Sequence, residues 1–129
     1  MSSKQQITTR IKSIEGQRHQ LIEAVLSAQQ MLRGSFTKGY RKCGKPNCWC
    51  VEGKGHPINR IVWTEKAKPR AKSIPQEDSE WAKAITAHYK QFRKVRKKIR
   101  GLEKRLNQLL NELEQKIVDK TKKCKPYLE

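Results

Sequence analysis

The chain has 129 residues, 35% of them hydrophobic and 33% charged, and its formal net charge is +18. At a mean hydropathy of −0.92 it holds too little apolar material for a thick globular core, and no run of it approaches a membrane span. Thirty Lys and Arg against twelve Asp and Glu point to polyanionic partners, nucleic acid foremost.

The first residues, Met1-Ser2-Ser3-Lys4-Gln5-Gln6, lack the apolar stretch of a secretory signal, so a cytoplasmic protein is expected. From Ile7 onward the apolar residues are periodic. Ile7, Ile11, Ile14, Arg18, Leu21, Val25, Ala28 and Leu32 alternate in spacings of four and three, which is the a/d seam of a coiled coil. Arg18 interrupts that seam, Gly16 is a weak point in it, and Gly34 supplies a helix stop.

The middle of the chain, rich in Gly and Lys, loses this period. Phe36 to Arg41, Arg60 to Thr64 and Arg70 to Ile74 read as short strands, the last two joined by a turn over Glu65 to Pro69. Three strands this short need outside support. Between the first two lie Cys43, Cys48 and Cys50 in the spacing C-x4-C-x-C, followed by His56. Three thiols and an imidazole suit a tetrahedral zinc ion, and in a reducing compartment clustered cysteines favour metal over disulfide. Gly44 and Pro46 allow a tight turn, and Gly53 and Gly55 let the chain curl back to present His56. Cys124 is the rival for the fourth position, and an iron–sulfur cluster is the rival for the metal. Four protein ligands leave no open position, so the zinc is expected to be structural.

The second periodic run is Trp81, Ile85, His88, Phe92, Val95, Ile99, Leu102, Leu106, Leu109 and Leu113. Pro75 with Glu77, Asp78 and Glu80 marks its start, since acidic groups favour a helix N-terminus. Fraying is expected around Lys120–Lys125, before Pro126. The expected fold is therefore mainly α with a small β/zinc module. Residues 1–33 and 76–129 form an antiparallel coiled-coil hairpin, and residues 34–75 form a zinc-stabilised two- to three-stranded sheet at its tip. The longer second helix then overhangs the first, leaving Leu109, Leu113 and Ile117 open to a second copy of the chain or another partner.

Positive charge is concentrated in two places. Within 90–105, Lys90, Arg93, Lys94, Arg96, Lys97, Lys98, Arg100, Lys104 and Arg105 meet only Glu103. A solvated coiled coil would alternate signs there, so phosphate contact is the favoured reading over a merely hydrated face. The middle segment adds Lys38, Arg41, Lys42, Lys45, Arg60, Lys68, Arg70 and Lys72, with Tyr40 and Trp49 placed to stack on bases. Phe36 and Trp63 are expected to form the module's own small core. Of the helix cations, Arg93, Lys94, Arg96, Lys97 and Arg100 are the expected nucleic-acid contacts.

From Gly34 to about Leu110 the chain resembles a family of small, largely uncharacterised prokaryotic proteins. The resembling residues are Gly34-Ser35, Arg41-Lys42-Cys43-Gly44-Lys45-Pro46-Asn47-Cys48-Trp49-Cys50, His56-Pro57, Trp63, Ile74-Pro75 and Trp81. Members continue His-Gly-Pro-Tyr where this chain has His56-Pro57-Ile58. The resemblance implies an association with mobile elements. Together with the charge, it leads to a non-catalytic DNA-binding accessory protein that assists a recombinase, transposase or other nucleic-acid enzyme. RNA binding within a ribonucleoprotein is the alternative, and a coiled-coil protein adaptor is a third reading. No nucleophile–base pair or phosphate-cradling glycine loop suggests an enzyme; His19 and His88 lie within helical runs.

Overall fold

The structure, a computed structural model, describes residues 3–129. Two long helices and one antiparallel three-stranded sheet make up the fold. In chain order these are α1 (Lys4–Leu26), β1 (Ser35–Arg41), β2 (His56–Glu65), β3 (Lys68–Ile74) and α2 (Ser79–Lys122). Among the described residues no helix is long and apolar enough to cross a membrane. The chain divides into two compact units, one of residues 1–27 and 93–129, the other of residues 28–92.

In the first unit, α1 starts on a capping box. Ser3 Oγ accepts the Gln6 backbone N–H at 3.2 Å, and Gln6 Oε1 accepts the Ser3 N–H at 2.9 Å, satisfying donors that a helix start leaves free. The expected seam is the buried side of both helices: Ile7 and Leu109 are fully buried, and Ile11, Ile14, Leu21, Val25, Val95, Leu102, Leu106 and Leu113 are half-buried. The start of α1, from Ser3 to Arg10, lines a cavity with residues 112–124, and Arg18 feels the charge of Glu103. Arg18 fits the seam because Glu15 neutralises it in a two-point ion pair, with bonds of 2.6 and 2.9 Å to the carboxylate. That pairing holds the Glu15 carboxyl below its ordinary range.

Three expectations need correction. Helix α1 stops at Leu26, so Ala28 and Leu32 lie outside it. Ser27 caps the end by bonding the Ala24 carbonyl through its hydroxyl, and Leu32 N–H donates instead to the Ile85 carbonyl of α2 at 3.1 Å. Gly34 consequently leads into β1 and stops no helix. The overhang is not at the C-terminal end: Leu109 is fully buried, and the start of α1 shares a cavity with residues 112–124.

In the second unit, β2 is the central strand. Phe36 lies opposite Ile61, and Asn59 opposite Ile74, so the buried Asn59 and Ile61 share one face with Phe36, Trp63 and Ile74. Phe36 and Trp63 are half-buried on that face. The turn between β2 and β3 is shorter than expected, only Lys66 and Ala67, both with positive φ (51° and 66°). The first turns of α2 bury Ala82, Ile85 and Thr86. Trp81 and His88, expected on the seam, are exposed there and meet the segment before β1: the Trp81 indole donates to Gln30 Oε1 and His88 Nδ1 sits 3.0 Å from the Gln30 carbonyl.

Burial separates the two ends of the seam energetically. Leu109→Ala should lower unfolding free energy by about 2–5 kcal/mol, whereas Ile117→Ala, at a position 45% exposed, should cost less than about 1 kcal/mol. Urea denaturation of the two variants checks this; equal losses would contradict the burial of the seam.

Candidate metal centre

The segment 42–55 joins the paired ends of β1 and β2, where Arg41 faces His56. It makes few backbone bonds of its own. Cys48 N–H bonds the Lys45 carbonyl, Val51 N–H the Cys48 carbonyl and Gly53 N–H the Cys50 carbonyl, giving a single 3-10 turn over Trp49–Val51. Lys42 Nζ ties the two arms by donating to the Val51 carbonyl at 3.0 Å. A connection of this length with so little structure usually has another source of order.

That source lies in its side chains. The ligand atoms of Cys43, Cys48, Cys50 and His56 all lie within 4.8 Å of one another. Cys43 Sγ and Cys50 Sγ are 3.6 Å apart, and Cys48 Sγ is 3.1 Å from His56 Nε2. Ligands on one tetrahedral ion with metal–sulfur bonds of about 2.3 Å stand roughly 3.5–3.8 Å from each other, so the four atoms lie close enough for small side-chain shifts to bring them onto one ion. Cys50 is buried, Cys48 and His56 are half-buried and Cys43 is exposed. All four cysteines are free thiols. Cys124 is not in the cluster. It belongs to the other unit, where its thiol bonds the Lys120 carbonyl at 3.5 Å.

Local electrostatics prepare two of the thiols differently. The Lys45 backbone N–H, then His56 and Cys50, pull the Cys43 thiol down to about 6, so it is a thiolate at neutral pH. For Cys50 the Cys43 N–H acts in the same direction, but burial and the adjoining thiols outweigh it and push the thiol up. Metal binding must therefore displace a proton from Cys50, whereas Cys43 has already lost most of its proton at neutral pH. Affinity should rise with pH through and beyond the ordinary thiol range.

Gly55 is what lets His56 enter the cluster. Its φ is +107°, and a Cβ there would meet the Arg41 carbonyl carbon at 2.6 Å and the Lys42 nitrogen at 2.9 Å. Backbone cannot yield as a flexible side chain would. Trp49 packs edge-on against His56, ring centroids 4.8 Å apart, and remains 66% exposed.

The expected nucleic-acid residues fall in both units. Lys38, Tyr40, Arg41, Lys42, Lys45, Trp49, Lys68, Arg70 and Lys72 are exposed and Arg60 is half-buried in the sheet unit. Arg93, Lys94, Arg96, Lys97 and Arg100 are exposed in the helical unit. Three features escaped the sequence. Lys42 straps the metal loop, Lys54 lies 5.6 Å over the Tyr40 ring, and buried Asn59 donates to Gln76 Oε1 at 2.7 Å. Only the strand register, which pairs Asn59 with Ile74 just before Gln76, could have signalled the last.

Gly55→Ala should weaken metal binding about 10- to 100-fold, the range seen when the groups that orient ligands are disturbed. Gly53→Ala, with nothing within 4 Å of the added carbon, should not. Competition with a chromogenic chelator measures both, and a Gly55→Ala protein of unchanged affinity would remove the loop's role. Chelating the metal should alter Trp49 fluorescence while most of the far-ultraviolet helical signal persists.

No curated protein and no solved structure matches the chain. One family does, over residues 5–84, a span that takes in α1, the whole sheet and the metal cluster but ends before the basic stretch of α2. With well over half its length matched, the chain belongs to the family described as Domain of unknown function (DUF6788).

Proposed function

We propose that this is a non-catalytic DNA-binding accessory protein, built on a structural zinc centre and gripping the phosphate backbone through cations of the sheet and of α2. The observation that carries the reading is unbalanced charge. Lys90, Lys94, Arg96, Lys97, Lys98, Arg100, Lys104 and Arg105 are all exposed. Among the described residues none of these eight is in an ion pair, whereas Arg18 and His19 of α1 each face a carboxylate, Glu15 and Glu23. A helix that only needed hydration would carry acids between those cations. Eight like charges repel one another in the free protein, and a polyanion relieves that repulsion.

Zinc is the ion best suited to three thiolates and one imidazole, and with all four positions filled by protein it has no reacting water to offer. An iron–sulfur cluster fits less well, because it ordinarily takes four thiolates and Cys124 belongs to the other unit. In this reading Cys43, Cys48, Cys50 and His56 hold the ion, and the ion's contribution is to fix the ends of β1 and β2. Assistance to a recombinase, a transposase or another nucleic-acid enzyme follows from the family resemblance. A cytoplasmic setting follows from the free cysteines.

A second reading, a protein adaptor or homodimer, has its own support in the far half of α2. Leu110, Ile117 and Val118 are exposed apolar residues at i, i+7 and i+8, along the edge of the buried side of α2. Replacing Arg96, Lys97 and Arg100 with Ala separates the two readings, since it should abolish DNA binding and leave partner capture or self-association intact.

Elemental analysis of purified protein should find one zinc per chain. In gel-shift titrations the log of the affinity should fall linearly with log salt, with a slope of about −0.9 for each phosphate neutralised on duplex DNA. Affinity that hardly changes with salt would sink the reading, and preferential competition by structured RNA would redirect it to a ribonucleoprotein.

A further inference from the structure

Residues paired directly across antiparallel strands share a face. Arg41, Gly39 and Thr37 of β1 therefore lie on the same face as His56, Ile58 and Arg60 of β2 and Ser73 of β3, opposite the face that buries Asn59 and Ile61. Thr37, Arg60 and Ser73 form one row across the sheet, a guanidinium between two hydroxyls. Beside this row is a cleft of about 300 Å³, lined by Arg41, Arg60 and Ser73 together with Tyr40 and Lys72, and no carboxylate lines it.

Arg60 is held in a particular way. Its guanidinium lies against Gly39, where an added Cβ would come 3.3 Å from Nη2. Its Nε and the Thr37 hydroxyl are shut off from solvent with no hydrogen-bond partner among the described residues. A planar guanidinium half-buried against the sheet, with Arg41 on the same face, matches the oxygens of a phosphate better than a flexible surface lysine does. The cleft volume is at the small end of ligand sites, which run from about 300 to 1,000 Å³, so it suits a phosphate with its sugar and not an extended cofactor.

The geometry points to a discrete phosphate site in this cleft, with Arg60 as its anchor, Arg41 as the second cation and the Ser73 hydroxyl as a further donor, taking one phosphodiester of a nucleic-acid strand. This rests on the nucleic-acid reading and assigns one contact within it. The site also depends on the metal loop, because His56 and Arg41 are paired at the end of the same face.

Fluorescence anisotropy with a short labelled single strand and with its duplex, each across a salt series, tests it. Arg60→Gln should weaken binding about 10-fold and reduce the salt slope by about one, the signature of one lost phosphate contact. Gly39→Val should act in the same direction by displacing the guanidinium, while the β-branched residue suits the strand and preserves the fold. Salt slopes unchanged in both variants, with circular dichroism intact, overturn the site. A wild-type protein that binds neither oligonucleotide overturns the nucleic-acid reading instead. Inorganic phosphate titrated into isotope-labelled protein and followed by NMR then decides the cleft: shifts confined to 39–41, 58–60 and 71–73 retain it as an anion site, and their absence removes it.

Discussion

Convergence of Cys43, Cys48, Cys50 and His56 is the constraint on which the sheet unit depends. Ordering backbone costs about 1–2 kcal/mol per residue, and the segment 42–55 has little with which to oppose that cost. Only Cys50 and Gly55 within it are buried, and neither brings much apolar surface. The turn bonds around Trp49 and the Lys42 strap fix parts of the loop, not its closure. If the cluster takes the metal proposed for it, a contribution of about 10 kcal/mol or more would oppose that cost. The approach of Gly55 to the Arg41 backbone shows how little slack the closure has.

Once that end is fixed, the sheet follows by register. Arg41 opposite His56 sets every other pair along β1 and β2, and a slip of one residue would turn Ile61 outward and Arg60 inward. The same pairing places Gly39 where the Arg60 side chain can lie flat. The Cys/His cluster and the cationic surface are thus not separate features of this unit, since both follow from the pairing of Arg41 with His56.

Which side of each helix is buried was legible because a helix that covers one side must place apolar residues at the helical period. Ile7, Ile11, Ile14, Leu21 and Val25 on α1, with Val95 to Leu113 on α2, are where the spacing puts them. Arg18 looked like a defect only because its Glu15 partner is invisible to a seam count. The period misled at Ala28 and Leu32, where the letters continue the heptad but Leu32 N–H bonds Ile85 of α2. It misled again at Trp81 and His88, because the neighbour there is the extended segment around Gln30 and the buried face turns toward Ala82, Ile85 and Thr86. The metal ligands were legible as residue types at close spacing, while the choice of His56 over Cys124 needed the fold. The turn between β2 and β3 was legible, but not its restriction to Lys66 and Ala67, since two-residue hairpins with positive φ normally announce themselves with Asn or Gly.

The extent of the family match gives the two basic surfaces different standing. It covers α1, the metal loop and all three strands, and ends at residue 84, six residues before Lys90 opens the basic run of α2. What the family match spans is therefore the Cys/His cluster, the sheet and α1 from its second residue onward. A surface set by strand register places a few cations at fixed separations, as recognition of individual phosphates requires. A helix with cations on every solvated side fixes no such pattern and acts through total charge, which raises affinity and association rate for any polyanion. If the chain takes nucleic acid as proposed, the sheet is the part suited to discriminate among its structures and the helix the part suited to raise affinity for any of them.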